Sequence, residues 1–96
     1  AVIMDPPSYG RGPNGEVWKL EECAHELIAL ATSLLSSDPL FFLVNSYTTG
    51  LSPATMAYMT RVSIGYGKTE AEELGIRVTK TGLCLPAGAS ARWTAE

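Results

Sequence analysis

The chain opens on four consecutive apolar residues, Ala1 to Met4, and meets its first acid at Asp5. A run that is apolar at every position predicts a strand covered on both faces, in the middle of a sheet. It is expected over residues 1–5. Residues 6–16 hold Pro6, Pro7 and Pro13 among Gly10, Gly12 and Gly15, and predict a loop. From residue 17 the period changes. Leu20, Cys23, Leu27, Leu30, Ala31 and Leu34 recur at helical spacing, with Lys19, Glu22 and Glu26 on the other side, which predicts an amphipathic helix over 17–36. Glu21 and Glu22 sit in its early turns, where the helix dipole favours acids. Ser36, Ser37, Asp38 and Pro39 end it.

A second buried strand is expected over 40–46 (LFFLVNS), with the polar stretch NSYTTG, residues 45–50, at its carboxyl end. Ser52 is a natural N-cap and Pro53 a natural first helical residue, so a helix follows to about Gly65. Strand, helix, strand, helix is the order of a parallel α/β sheet with crossover helices. The last third departs from it. Residues 72–79 and 81–85 predict two short strands around a turn at 80–82, an antiparallel hairpin at the end of the sheet. PAGASARW continues as an irregular strand anchored by Trp93. The fold class is therefore α/β, with an antiparallel pair at the end. No internal repeat or low-complexity tract interrupts it.

A length of 96 residues allows one domain with a modest core. Apolar residues make up 46% and charged ones 18%, too apolar for a disordered chain. Seven basic and ten acidic residues leave a formal net charge of −3, with the basic ones scattered singly. A basic footprint for nonspecific nucleic-acid binding is missing. Cys23 and Cys84 belong to no metal-type cluster, and His25 has no ligand partner nearby, so no metal is expected. Reduced, mostly buried thiols in a cytoplasmic protein are expected, and a single disulfide stays open. No run is long enough to be a membrane span or a signal peptide. His25 reads as solvated, Met56 and Met59 as core, Trp18 and Trp93 as packing anchors, and Glu70, Glu72 and Glu73 as a solvated loop. A surface ion pair is the expected role of Arg92.

Ligands of open α/β sheets bind beyond the carboxyl ends of the strands. DPPSY lies at one such end and NSYTTG at the next, so the two are expected side by side on one rim. Asp5 offers an acceptor at the strand tip. Pro6 and Pro7 stiffen the loop and remove two N–H groups, leaving its carbonyls to a ligand's amine or amide. Tyr9 offers a stacking face, and Arg11, between glycines, can reach an anion. On its own, Asp-Pro-Pro reads equally as a strand stop with a rigid turn.

DPPSYGRGPNGEVWKLEE, then LFFLVNSYTTGLSP, then LCLPAGASARW, in that order, resemble the C-terminal half of a class I S-adenosylmethionine-dependent methyltransferase. The nearest likeness is to the bacterial ribosomal RNA large-subunit branch, and it runs over the whole chain. The resemblance implies a Rossmann-like sheet and S-adenosylmethionine as methyl donor. It puts Asp5, Pro6 and Pro7 in the catalytic junction between donor and acceptor, with Asp5 also touching the cofactor. Ser8, Tyr9, Arg11, Asn45 and Ser46 become substrate-binding residues, and RNA the acceptor. Relatives that methylate pyrimidine carbon 5 carry a nucleophilic cysteine after the fifth strand. Asn45, Ser46, Tyr47 and Thr48 stand there instead, so direct transfer to N or O is expected.

The family's glycine-rich donor turn and its ribose-binding acid belong to earlier strands. GRGPNGE and GYGKTE do not replace them and read as turns. Residues 1–96 are thus expected to form a partial domain, the acceptor-side half, cut within a larger one and without the donor half. The alternative is an inactive fragment or an oligomerising module that binds no methyl donor by itself. Either way, an uncovered strand edge or sheet face predicts a homo-oligomer.

Overall fold

A computed structural model describes residues 1–96. Six strands and two helices follow in the order β1 (Val2–Met4), β2 (Tyr9–Arg11), β3 (Val17–Lys19), α1 (Leu20–Thr32), β4 (Phe41–Ser46), α2 (Pro53–Ile64), β5 (Lys68–Arg77) and β6 (Cys84–Thr94). Four strands make one mixed sheet in the order β1-β4-β6-β5. β1 and β4 run parallel, with Val2, Ile3 and Met4 level with Phe42, Leu43 and Val44. β6 lies antiparallel to both β4 and β5. The α/β class, the parallel pair and a terminal antiparallel hairpin are as the sequence predicts, but the hairpin strands are long, Lys68–Arg77 and Cys84–Thr94, rather than short ones over 72–79 and 81–85.

One face of the sheet carries the core. Phe42, Val44 and Ser46 alternate with less buried neighbours along β4, and Trp93, Ala91 and Ala89 of β6 stand opposite them. α1 and α2 pack on that face together, adding Leu20, Ala24, Ile28, Ala31 and Met56 to one cluster. Trp93 and Phe42 are fully enclosed, each contributing about 2–3 kcal/mol of transfer free energy. The Trp93 indole donates to the Tyr66 carbonyl at 2.6 Å and meets the Tyr66 ring edge-on, centroids 5.4 Å apart. The opposite face has no helix on it, and Ile3 there is 66% exposed.

Several expectations need correcting. β1 is an edge strand, not a central one, because β4 is its single neighbour. The 6–16 loop contains β2, which pairs antiparallel with β3, Gly10 facing Trp18. The helix therefore begins at Leu20 rather than residue 17, and Val17–Lys19 is extended. Its buried stripe is Leu20, Ala24, Ile28 and Ala31. Leu30 and Leu34 of the predicted stripe point to solvent. The stripe includes small Ala24 and Ala31, and the element that α1 approaches most closely is α2. Glu70, Glu72 and Glu73 lie on β5, not in a loop. Cys84 is exposed; both thiols are free.

The second helix is as read. The Ser52 hydroxyl accepts from the Thr55 N–H at 3.2 Å, Pro53 opens the helix, and Gly65 closes it at φ 88°. Arg92 pairs with Glu70, which also meets Lys68 at 3.1 Å. No helix is long and apolar enough to cross a membrane.

Candidate functional site

Parallel pairing of β1 and β4 brings their carboxyl ends to one rim. Asp5 follows one strand and Tyr47 the other. The two tips are joined: the Thr48 hydroxyl donates to the Ser8 hydroxyl at 2.8 Å, across 40 residues of chain. The buried Ser46 hydroxyl holds this second tip from beneath by accepting from the Thr48 N–H at 3.1 Å. The nearby Asp5 carboxylate, through hydrogen bonding and its negative charge, pushes the Tyr47 phenol's pKa above its usual value.

Pro6 and Pro7 stiffen the first tip, and two hydrogen bonds fix it further. The Trp18 indole donates to the Pro7 carbonyl at 2.8 Å, and the Leu20 N–H to the Ser8 carbonyl at 3.0 Å. This corrects the expectation of free loop carbonyls. Pro7 and Ser8 spend theirs on the fold, which leaves the Asp5 carboxylate and the Pro6 carbonyl as the acceptors at the tip. Trp18, read as the opening of a helix, is the strut between the β2–β3 hairpin and this loop.

The other predicted residues divide. Tyr9 is half exposed on β2, and its hydroxyl accepts from the Arg11 Nε at 3.0 Å. Arg11 is thereby tied to the ring rather than free to swing. Asn45 and Ser46 point to opposite sides of the sheet, Ser46 to the core and Asn45 to the uncovered face. Ser8 is at the junction itself. Asp5, Ser8, Tyr47 and Thr48 thus form one cluster, with Tyr9 and Arg11 on the hairpin beside it.

A cleft of about 540 Å³ opens beside the second tip, between Tyr47, Thr48, Ser52, Glu73, Pro86 and Gly88. Gly88 has φ 135°, and a Cβ there would come within 2.7 Å of both the Ser46 carbonyl and the Tyr47 ring. The glycine is what lets the ring lie against β6. Sequence reasoning missed Tyr47, Thr48, Glu73 and Gly88 as site residues. A lone glycine inside PAGAS was the available sign of a close backbone approach.

The cleft offers a ligand the Tyr47 ring, the Thr48 and Ser52 hydroxyls and the Glu73 carboxylate, with Asp5 and Pro6 on the neighbouring tip. A complete donor pocket is another matter. Of the strands in the main sheet, β1 opens onto Asp-Pro-Pro and β4 onto NSYTTG, so neither leads into a glycine-rich turn. No cluster of three or more His, Cys, Asp or Glu side chains could hold a metal ion.

Known structures share this architecture. The chain superposes on an S-adenosylmethionine-dependent methyltransferase from Agrobacterium tumefaciens with a TM-score of 0.84 and 28% identity, over 99% of its own length and 33% of that chain. It also matches SMU.776, assigned as a methyltransferase and solved in complex with SAH, with a TM-score of 0.63 and 15% identity, over 97% of its own length and 26% of that chain. The chain is thus similar to class I methyltransferases in fold, and spans about a third and a quarter of their lengths. No family model matches it, and no curated protein does.

Proposed function

We propose that this chain is the acceptor-side part of an S-adenosylmethionine-dependent methyltransferase, acting on RNA by direct transfer of the methyl group to N or O. The observation that carries the reading is the Thr48–Ser8 hydrogen bond, which joins the two strand tips into one rim on a methyltransferase-like sheet. The donor supplies an already activated methyl group. What remains for this chain is orientation, and orientation alone is worth several orders of magnitude in rate. Asp5 and the Pro6 carbonyl accept from the acceptor's N–H or O–H. Tyr47 holds the Asp5 carboxylate in place, and the Trp18 strut keeps the proline loop from moving.

Carbon methylation through a covalent intermediate fits poorly. Cys23 is half-buried on α1 and Cys84 lies at the far end of β6, level with Arg77, so neither thiol is on the rim. Without a glycine-rich turn after β1 or β4, these residues do not make a donor site by themselves. That favours the second reading, in which the chain alone binds no methyl donor.

The test uses the full gene product with tritiated S-adenosylmethionine and bacterial ribosomal RNA. Label released by nuclease as an N- or O-methylated nucleoside is the expected result; label on carbon 5 of a pyrimidine, or in protein, contradicts it. Calorimetry of residues 1–96 with S-adenosylmethionine is expected to give no heat of binding.

A further inference from the structure

We propose that the cleft beside the second tip is a subsite for an unpaired guanine next to the methyl acceptor in RNA, with Glu73 reading the edge of that base. The inference rests on the RNA reading above and adds the flanking base to it. Strand register places the carboxylate. Ser46 is level with Ala89 of β6, and Ala89 with Glu73 of β5. Ser46 and Ala89 are buried, so their row is on the helix-bearing side of the sheet. Alternation puts Thr69, Ala71 and Glu73 on that side of β5, and Glu70 and Glu72 on the other. Glu70 is spent on Arg92 and Lys68, whereas Glu73 enters none of the ion pairs. Ser52 and Pro53, at the start of α2, line the same cleft.

The backbone at the cleft is irregular. Leu74 is level with Gly88 and Gly75 with Pro86, so Ala87 between them has no partner on β5. This β-bulge lines the cleft, and Gly88 beside it takes φ 135°. Bulges are over-represented at sheet edges and next to functional sites. Tyr47 stands between the cleft and the acceptor rim. Its ring lies against Gly88, its phenol is near Asp5, and the residue is 54% exposed. Asp5, Pro6 and Ser8 do not line the cleft. A base held there is therefore a neighbour of the acceptor and not the acceptor itself.

Hydrogen-bond chemistry selects the base. Glu73 is the one charged side chain in a cleft whose volume, about 540 Å³, is usual for small-molecule sites. A carboxylate accepts and does not donate, so the group facing it brings N–H donors and no negative charge. Guanine presents N1–H and its 2-amino group side by side, which match the two carboxylate oxygens. Adenine and cytosine set an acceptor beside their amino group, and uracil has a single N–H between two carbonyls. The exposed Tyr47 ring supplies a stacking surface, and unpaired RNA bases are read by such a combination of ring and edge contacts. An arginine guanidinium offers the same pair of donors; the place of the cleft beside the acceptor rim favours the base.

Amide-shift titrations of the chain with the single-stranded RNA pentamers UUGUU, UUAUU and UUIUU (I, inosine) test this. UUGUU should bind about tenfold more tightly than UUAUU and move the amides of Tyr47, Glu73, Ala87 and Gly88. UUIUU, which lacks the 2-amino group, should bind more weakly than UUGUU. Glu73→Gln should erase the preference for guanine and leave UUAUU binding unchanged, a pattern that a purely structural role for Glu73 would not give. Equal affinity for UUGUU and UUAUU, or a preference that survives Glu73→Gln, would overturn the proposal. So would GMP or N-acetylarginine amide binding as tightly as UUGUU, since the cleft would then take a free nucleotide or a protein side chain. A full gene product that methylates RNA with no guanine beside the methylated nucleotide overturns this inference and leaves the RNA reading standing. One that methylates no RNA, with the pentamer preference intact, overturns the RNA reading instead.

Discussion

Thr48 and Ser8 stand 40 positions apart in the chain, yet their hydroxyls meet at 2.8 Å. The bond forms because β1 and β4 run parallel with Met4 level with Val44, so Ser8 and Thr48, each four residues further on, leave the sheet side by side. A short hydroxyl pair at that point joins the two strand exits into one platform that carries Asp5 and Tyr47.

That pair is open to a double-mutant cycle. Ser8→Ala and Thr48→Val should each cost about 1 kcal/mol of stability, the ordinary net worth of a hydrogen bond. Together they should cost less than their sum, because each removes the same contact. Additive losses in urea unfolding would mean the two hydroxyls do not interact in solution.

Gly67 has φ 85°, and a Cβ there would collide with the Trp93 indole nitrogen and the Thr94 carbonyl. Gly67→Ala should therefore destabilise the fold by about 1–3 kcal/mol, through both backbone strain and overpacking. In a chain of this size, thermal unfolding should come roughly 4–8 °C earlier per kcal/mol. Gly15 has the same φ with nothing near its Cβ position, so Gly15→Ala should fall less far.

Glu70 binds Arg92 and Lys68, and those hydrogen bonds and charges hold its carboxyl below the ordinary carboxylate range. A group with a lowered folded-state pKa stabilises the fold above the unfolded-state value, and that stability is lost as pH falls through the folded one. The urea midpoint should therefore drop on acidification below about pH 4.5, the region of a free glutamate. Glu70→Gln should flatten this acid limb while leaving the slope above pH 6 unchanged. Salt should shrink the difference, since all three side chains are exposed.

Features set by neighbours in sequence were legible in it. Ser52 and Pro53 announce a helix start, and that helix starts there. The two strand exits could be placed on one rim from topology alone. The β2–β3 hairpin could not be read, because its strands are three residues each and lie among prolines and glycines that signal a loop. Trp18 was therefore assigned to a helix, and its bond to the Pro7 carbonyl went unforeseen. The stripe of α1 failed for a different reason. Leucine spacing favours Leu30 and Leu34, but the side that is buried carries Leu20, Ala24, Ile28 and Ala31, two of them too small to stand out in a hydrophobic pattern. The apolar run of β1 by itself signalled a central strand; its edge placement followed only from the fragment reading, which left that strand uncovered.

The central claim is that the rim between Asp5 and Tyr47 positions a methyl acceptor. Steady-state methyl transfer by the full gene product carrying Asp5→Asn, beside a His25→Ala control on the exposed side of α1, tests it most directly. The account predicts a fall in kcat of about a hundredfold or more for Asp5→Asn, with the fold intact and the control unchanged. An Asp5→Asn enzyme that turns over within about twofold of wild type would contradict it.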